Sequence, residues 1–138
     1  MIDVVLIAPA NATITYQSLA SRYSAVEPPT WALILAESCR KAGFEPKILD
    51  CLAENLSDNA AIDRIRNSKP RFICFVVYGQ NVNAGTTNMS GAVRLARAIK
   101  ADGIDTPIGF IGSHVQALPR ETLETEKAID VAFLNEGV

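Results

Sequence analysis

The stretch "GFIGSHVQALPRETL", residues 109–123, carries the only histidine of the chain, His114. It follows directly on an apolar run, between Gly112 and Pro119, where an open α/β sheet keeps its ligands. An imidazole there can help shape the ligand loop or hydrogen-bond a strand-end carbonyl. No acid–histidine–nucleophile set accompanies it, so acyl-transfer chemistry has no sequence support. Cys39, Cys51 and Cys74 are far apart and set in apolar segments, with no CxxC spacing and no Cys/His zinc pattern. They read as small buried apolar residues of a reducing, cytosolic protein. Glu121, Glu124 and Glu126 read as a solvated face. GxGxxG and GxxxxGK[ST] do not occur, which removes the ordinary dinucleotide and P-loop readings. The chain has no self-sufficient catalytic set; what it offers is a ligand-binding edge.

The elements that would build that edge follow from hydrophobic patterning. "DVVLIAP" (3–9) is a continuous apolar run closed by proline, the pattern of a parallel strand buried on both faces. "TWALILAESCRKAG" (30–43) predicts a helix, with Thr30 as N-cap, Leu33, Leu35, Ala36 and Cys39 facing inward, Arg40 and Lys41 at the negative end of its dipole, and Gly43 as its stop. "EPKILDC" (45–51) is a second strand. "SDNAAIDRIRNS" (57–68) is a helix capped by Ser57 or Asp58, with Ile62 and Ile65 inward. "RFICFVVYG" (71–79) is β-branched and aromatic enough to be the central strand. A third helix is expected over 88–103, with Met89, Ala92, Val93, Ala96 and Ile99 on one stripe. "PIGFIG" (107–112) is strand four, "PRETLETE" (119–126) a brief helix, and "IDVAFLN" (129–135) strand five.

This alternation predicts one α/β domain, a doubly wound five-stranded parallel sheet in the flavodoxin-like (Rossmann-like) order 2-1-3-4-5. A chain of 138 residues with 49% hydrophobic and 20% charged residues is long enough for a genuine core. A net charge of −2 offers no basic stripe for nucleic acid. The start, "MIDVVLIAPA", carries an acid ahead of a short apolar run and reads as a strand, and no stretch is long enough to span a bilayer.

In such a sheet, ligands lie beyond the carboxyl ends of the strands, at the switch between strands one and three. Three loops meet there: 10–29, 79–88 and 112–119. The first is far longer than an ordinary βα connection and carries Tyr16 and Tyr23, which could meet a planar ligand or pack locally. The second, "GQNVNAGTTN", has no charge. A phosphoacceptor receiver would need carboxylates after strand one, an aspartate ending strand three and a lysine ending strand five; "APA", "YGQ" and "NEG" stand there instead. A flavodoxin would need a Thr- and Gly-rich loop after strand one, and "NATITYQS" has no glycine.

Several motifs occur in a recognisable order: Pro28 and Pro29 before the first helix, Ala42, Gly43, Glu45, Leu49 and Asp50 around strand two, Gly112 and His114 with Leu118 and Pro119 after strand four, and Asp130 with Glu136 and Gly137 at strand five. Together they resemble the cobalamin-binding domain ahead of the radical-SAM domain in cobalamin-dependent radical-SAM enzymes, in particular the anaerobic magnesium-protoporphyrin IX monomethyl ester cyclase group. Ser113 stands where that family has a second glycine, and Asn135 where it has the first glycine of "GEG".

The resemblance covers essentially the whole chain and implies cobalamin as cofactor, its nucleotide tail directed between strands one and three. The implied contacts are Pro9, Ala10 and Asn11 after strand one, Thr30 at the first helix, Tyr78, Gly79, Gln80, Asn81, Gly85 and Thr86 after strand three, Gly112, Ser113 and His114 after strand four, and Glu136 and Gly137 after strand five. It implies a corrinoid and a downstream radical-SAM domain as partners, with methyl transfer or oxidative cyclisation as the reaction. The [4Fe–4S] cluster and S-adenosylmethionine belong to that downstream domain, because CxxxCxxC does not occur here. Carriers that place a protein histidine on cobalt use DxHxxG after strand one; "APANATITYQS" has none, so His114 is expected to support the loop and tail rather than ligate cobalt. Trp31 reads as core or interface. The alternatives are a non-catalytic interaction module of the same fold that has lost the cofactor, and a flavin carrier.

The chain reads as an N-terminal fragment of a longer enzyme, ending just after strand five without the helix that would cover one sheet face. Burial is worth about 25 cal/mol per Å², so a homodimer of the fragment is expected to cover that face, with strand five and the first helix near the contact.

Overall fold

The computed structural model describes residues 1–10, 26–79 and 82–137. Asn11, Gln80 and Asn81, together with Tyr16 and Tyr23, lie outside the described residues. Five strands, β1 (Val4–Ala8), β2 (Pro46–Asp50), β3 (Phe72–Val76), β4 (Ile108–Ile111) and β5 (Val131–Ala132), form one sheet in the order β2-β1-β3-β4-β5. Every neighbouring pair is parallel, with Val4 opposite both Pro46 and Phe72, Ile73 opposite Ile108, and Gly109 opposite Val131. The order reverses between β1 and β3, as the strand–helix alternation predicts.

Successive side chains of each strand supply opposite faces. Val5, Ile7, Ile73, Phe75, Ile108 and Phe110 enter the larger core, where Phe75 and Phe110 stack with ring centres 4.8 Å apart. Helices α2 (Asp58–Ser68) and α3 (Val82–Ala101) close that face with Ile62, Ile65, Ala92, Leu95, Ala96 and Ile99. Val4, Leu6, Cys74, Val76 and Ile111 form the opposite core against Ala32, Leu35 and Ala36 of helix α1 (Thr30–Lys41). Beside α1 this second face is open in a groove of about 440 Å³, with Phe72, Cys74 and Phe133 in its wall. Among the described residues no helix is long and apolar enough to cross a membrane.

Local chemistry explains most element ends, and several depart from the sequence expectation. Ser57 Oγ accepts from the Ala60 N–H at 3.2 Å and caps α2. Gly43, at φ +86°, ends the α1 region as expected. Thr30 is not the N-cap: Pro29 occupies that position, and Thr30 is the first helical residue, its N–H bonding the Pro28 carbonyl at 2.8 Å. Two consecutive prolines fix the chain so that the helix starts immediately after them. The inward stripe of α1 is Ala32, Leu35 and Ala36, whereas Leu33 is 51% exposed. Helix α3 starts six residues before the expected Asn88, so most of the uncharged stretch read as a loop is helix. A five-residue helix α4 (Ser113–Ala117) occupies the stretch after β4, and α5 spans Pro119–Thr125. β5 has two residues rather than seven, although the Asp130 N–H to Ile108 and Phe133 N–H to Phe110 bonds extend its contact. A short edge strand limits pairing with other chains. Glu126 is not a solvated acid: Arg97 donates to it from Nε at 3.0 Å and Nη2 at 2.8 Å.

Candidate ligand site at the carboxyl edge

The carboxyl ends of β1, β2 and β3 and the start of α1 enclose a groove of about 360 Å³. Pro9 follows β1, Asp50 ends β2, Tyr78 and Gly79 follow β3, Thr30 and Trp31 begin α1, and Asn88 reaches in from α3; all line it. The groove therefore sits at the switch point, and the structure brings Pro9, Thr30, Tyr78 and Gly79 together in its lining.

Tyr78 organises this groove. Its ring stacks on Trp31 with centroids 4.5 Å apart and planes 22° from parallel. Its carbonyl accepts from Asn88 Nδ2 at 3.1 Å. Its hydroxyl oxygen accepts from Gln116 Nε2 at 3.3 Å, which leaves the O–H itself able to donate to a ligand. Burial pushes the phenol pKa up and the charge of Glu136 adds to this, with the Gln116 bond opposing. At neutral pH Tyr78 is thus a neutral donor. Trp31, Asn88 and Gln116 escaped the sequence reading as site residues; only the proximity of Trp31 to the Pro28–Pro29 pair hinted at a role.

A second group lies where β4 turns into α4. Gly112 has φ +154°, and a Cβ there would sit 2.1 Å from the Val77 carbonyl oxygen. Its glycine requirement is therefore explained by contact with the end of β3. Gly85 of α3 faces the same junction, where a Cβ would lie 2.5 Å from Ser113 Oγ, a hydroxyl free to rotate, and 3.5 Å from the Val77 carbonyl oxygen. His114 Nδ1 is 3.4 Å from Thr86 Oγ1. The imidazole lines a separate groove with Met89, Val93, Arg97 and Glu121, between α3 and the α4–α5 segment. Gly85, Thr86, Gly112, Ser113 and His114 thus form one packed junction beside the switch-point groove rather than its lining.

The remaining expected residues fall elsewhere. Ala10 packs at the margin of the larger core. Gly137, at φ +72°, sits against Leu35 and Ile111 on the α1 face, at the lip of the apolar groove. Burial pushes the Cys51 and Cys74 thiols up to about 12 and raises Cys39. Among the described residues no group of three His, Cys, Asp or Glu side chains could hold a metal ion.

A family model described as the B12 binding domain matches residues 17–138. Two solved structures of the radical S-adenosylmethionine methyltransferase TsrM from Kitasatospora setae share the fold. The one with cobalamin and a [4Fe-4S] cluster bound has TM-score 0.63 at 14% identity, over 92% of this chain and 21% of that one. The one with tryptophan substrate and a SAM analog (aza-SAM) has TM-score 0.62 at 15% identity, over 90% and 22%. This chain spans about a fifth of their length. A search of curated proteins finds no match.

Proposed function

Since the chain belongs to the B12-binding domain family, we propose that its carboxyl edge binds a corrinoid and presents it to a radical-SAM catalytic domain. The observation that carries this reading is the match of the family model over residues 17–138, laid on a sheet whose switch point opens into a groove. The residues there suit a corrinoid: Thr30, Asn88 and the Tyr78 O–H are neutral hydrogen-bonding groups, matched to a ligand rimmed with amides. At about 360 Å³ the groove takes only part of such a ligand, so the macrocycle lies over the edge and its outer face is left for a second domain. When bound, the corrinoid supplies the cobalt-centred methyl-transfer or redox chemistry, and the catalytic domain decides between methyl transfer and oxidative cyclisation.

This chain's own residues bind and orient. Tyr78 is fixed by Trp31, Asn88 and Gln116 and offers a proton without titrating near neutrality. The packed junction of Gly85, Gly112 and Ser113 sets the position of α3, and with it Asn88. His114 lies in the other groove, beside Thr86, which supports a role in the junction and no protein histidine on cobalt. The exposed apolar groove beside α1 supports self-association of this segment when studied alone.

Hydroxocobalamin mixed with the protein should stay with it through desalting, leaving corrinoid bands in the protein fraction. A colourless fraction at high protein concentration refutes the reading in favour of a module without cofactor, and flavin bands after flavin reconstitution would favour a flavin carrier.

A further inference from the structure

We infer that the switch-point groove and the groove around His114 are coupled, through a closed circuit of side chains that runs from Tyr78 across α4 to α3 and back. Gln116 Nε2 donates to the Tyr78 hydroxyl oxygen at 3.3 Å. Two residues earlier on α4, His114 Nδ1 lies 3.4 Å from Thr86 Oγ1. Two residues after Thr86 on α3, Asn88 Nδ2 donates to the Tyr78 carbonyl at 3.1 Å and closes the circuit. Tyr78 and Asn88 line the switch-point groove. His114 lines the other groove, with Met89, Val93 and Leu118, so the circuit has one side in each. Its α4 side is stiff: five residues with Val115 fully buried, entered through Gly112, which abuts the Val77 carbonyl. The coupling also has a sign. A ligand that accepts from the Tyr78 O–H polarises the phenol and makes its oxygen a better acceptor for Gln116. Occupancy of the ligand groove thus tightens α4 and the setting of His114 on an outer surface of the domain. By linkage, a partner that grips the His114 groove in that setting raises affinity at the switch point by the same factor.

His114 is the only histidine, so its ring signals in a carbon–proton correlation spectrum read the far side of the circuit without overlap. Tyr78→Phe deletes the hydroxyl and keeps an aromatic ring on Trp31. In the parent protein it should shift the His114 signals beyond their line width. In a Gln116→Leu background the same substitution should leave them in place. No shift in the parent, or an equal shift in both backgrounds, overturns the circuit. Gln116 is half-buried, and Gln116→Ala takes the place of Gln116→Leu if that variant does not fold. A second arm, with ligand, rests on the corrinoid reading. Hydroxocobalamin should move the His114 signals in the parent, and much less in a Gln116→Leu protein that still retains it. An equal movement in both overturns coupling through Gln116. If neither protein retains hydroxocobalamin, the proposed function falls, and the substitutions alone decide the circuit.

Discussion

Gly112→Ala is the substitution whose cost the structure defines most sharply. The new Cβ would sit 2.1 Å from the Val77 carbonyl oxygen and 2.8 Å from its carbonyl carbon, at a φ of +154°. Val77 has little freedom to retreat: it is fully buried, and its N–H bonds the Ile111 carbonyl at 2.8 Å. Overpacking costs about 1–3 kcal/mol, and a backbone conformation that side chains rarely adopt costs about 1–3 more, together about 2–6 kcal/mol. For a domain of this size that lowers Tm by roughly 6–20 °C. Gly43→Ala is the matched control: φ is +86°, nothing lies within 4 Å of its Cβ position, and only a left-handed backbone cost of about 1–2 kcal/mol applies. Thermal unfolding followed by circular dichroism of both variants measures the difference. If Gly112→Ala melts no lower than Gly43→Ala, the packed β3–β4 junction is not as described.

The buried thiols predict a pH dependence. Cys51 and Cys74 are raised to about 12 in the folded chain, so the unfolded chain loses these protons first and stability falls as pH rises from about 9 towards 12, by about 1 kcal/mol per pH unit for each thiol; denaturant melts should show it, and Cys74→Ala should flatten the slope. The same two thiols should react with a thiol reagent at neutral pH only after denaturation, and rapid native labelling of Cys74 would contradict its burial. Asp130 is subject to burial acting upward, outweighed by the Ile108 N–H and Lys100, and its carboxyl is held below the ordinary value of 3.8. Its contribution is present above that value and lost as pH falls through the lowered one, so Asp130→Ala should lower stability at neutral pH and reduce its further loss on acidification, with melts at several pH values as the check. Arg97→Ala breaks a two-pronged bond to Glu126, whose side chain is 16% exposed; a loss of about 1 kcal/mol or less is expected in urea melts, shrinking with added salt.

The sheet was legible because its signals are local. A strand buried on both faces must be apolar throughout, and "VVLIA", "FICFV" and "IGFI" are. Alternation with amphipathic helices then leaves little choice of topology. Ser57 and Gly43 marked their helix ends by chemistry that depends on the nearest few residues. The start of α3 was not legible, because Asn, Thr and Gly are poor helix formers and the turns at Gly85 and Thr86 rest on Ser113 and His114, more than twenty residues away. Thr30 failed as a cap because Pro29 had already taken the position. Glu126 looked like one acid among three until Arg97, 29 residues distant, met it. At the site, topology put the ends of strands one and three at the ligand edge, and the family resemblance singled out Pro9, Tyr78 and Gly79 there. The Trp31–Tyr78 stack was not legible, since it joins the first turn of α1 to the end of β3 across the sheet edge.

Hydrogen–deuterium exchange with and without hydroxocobalamin tests most directly whether this edge is the corrinoid site. Protection should concentrate in peptides covering residues 8–10, 26–32, 77–79 and 85–88, and be missing at the amino edge around Asp3, Glu45 and Arg71. Protection confined to that opposite edge, or none with ligand in excess, would contradict corrinoid binding at the switch point.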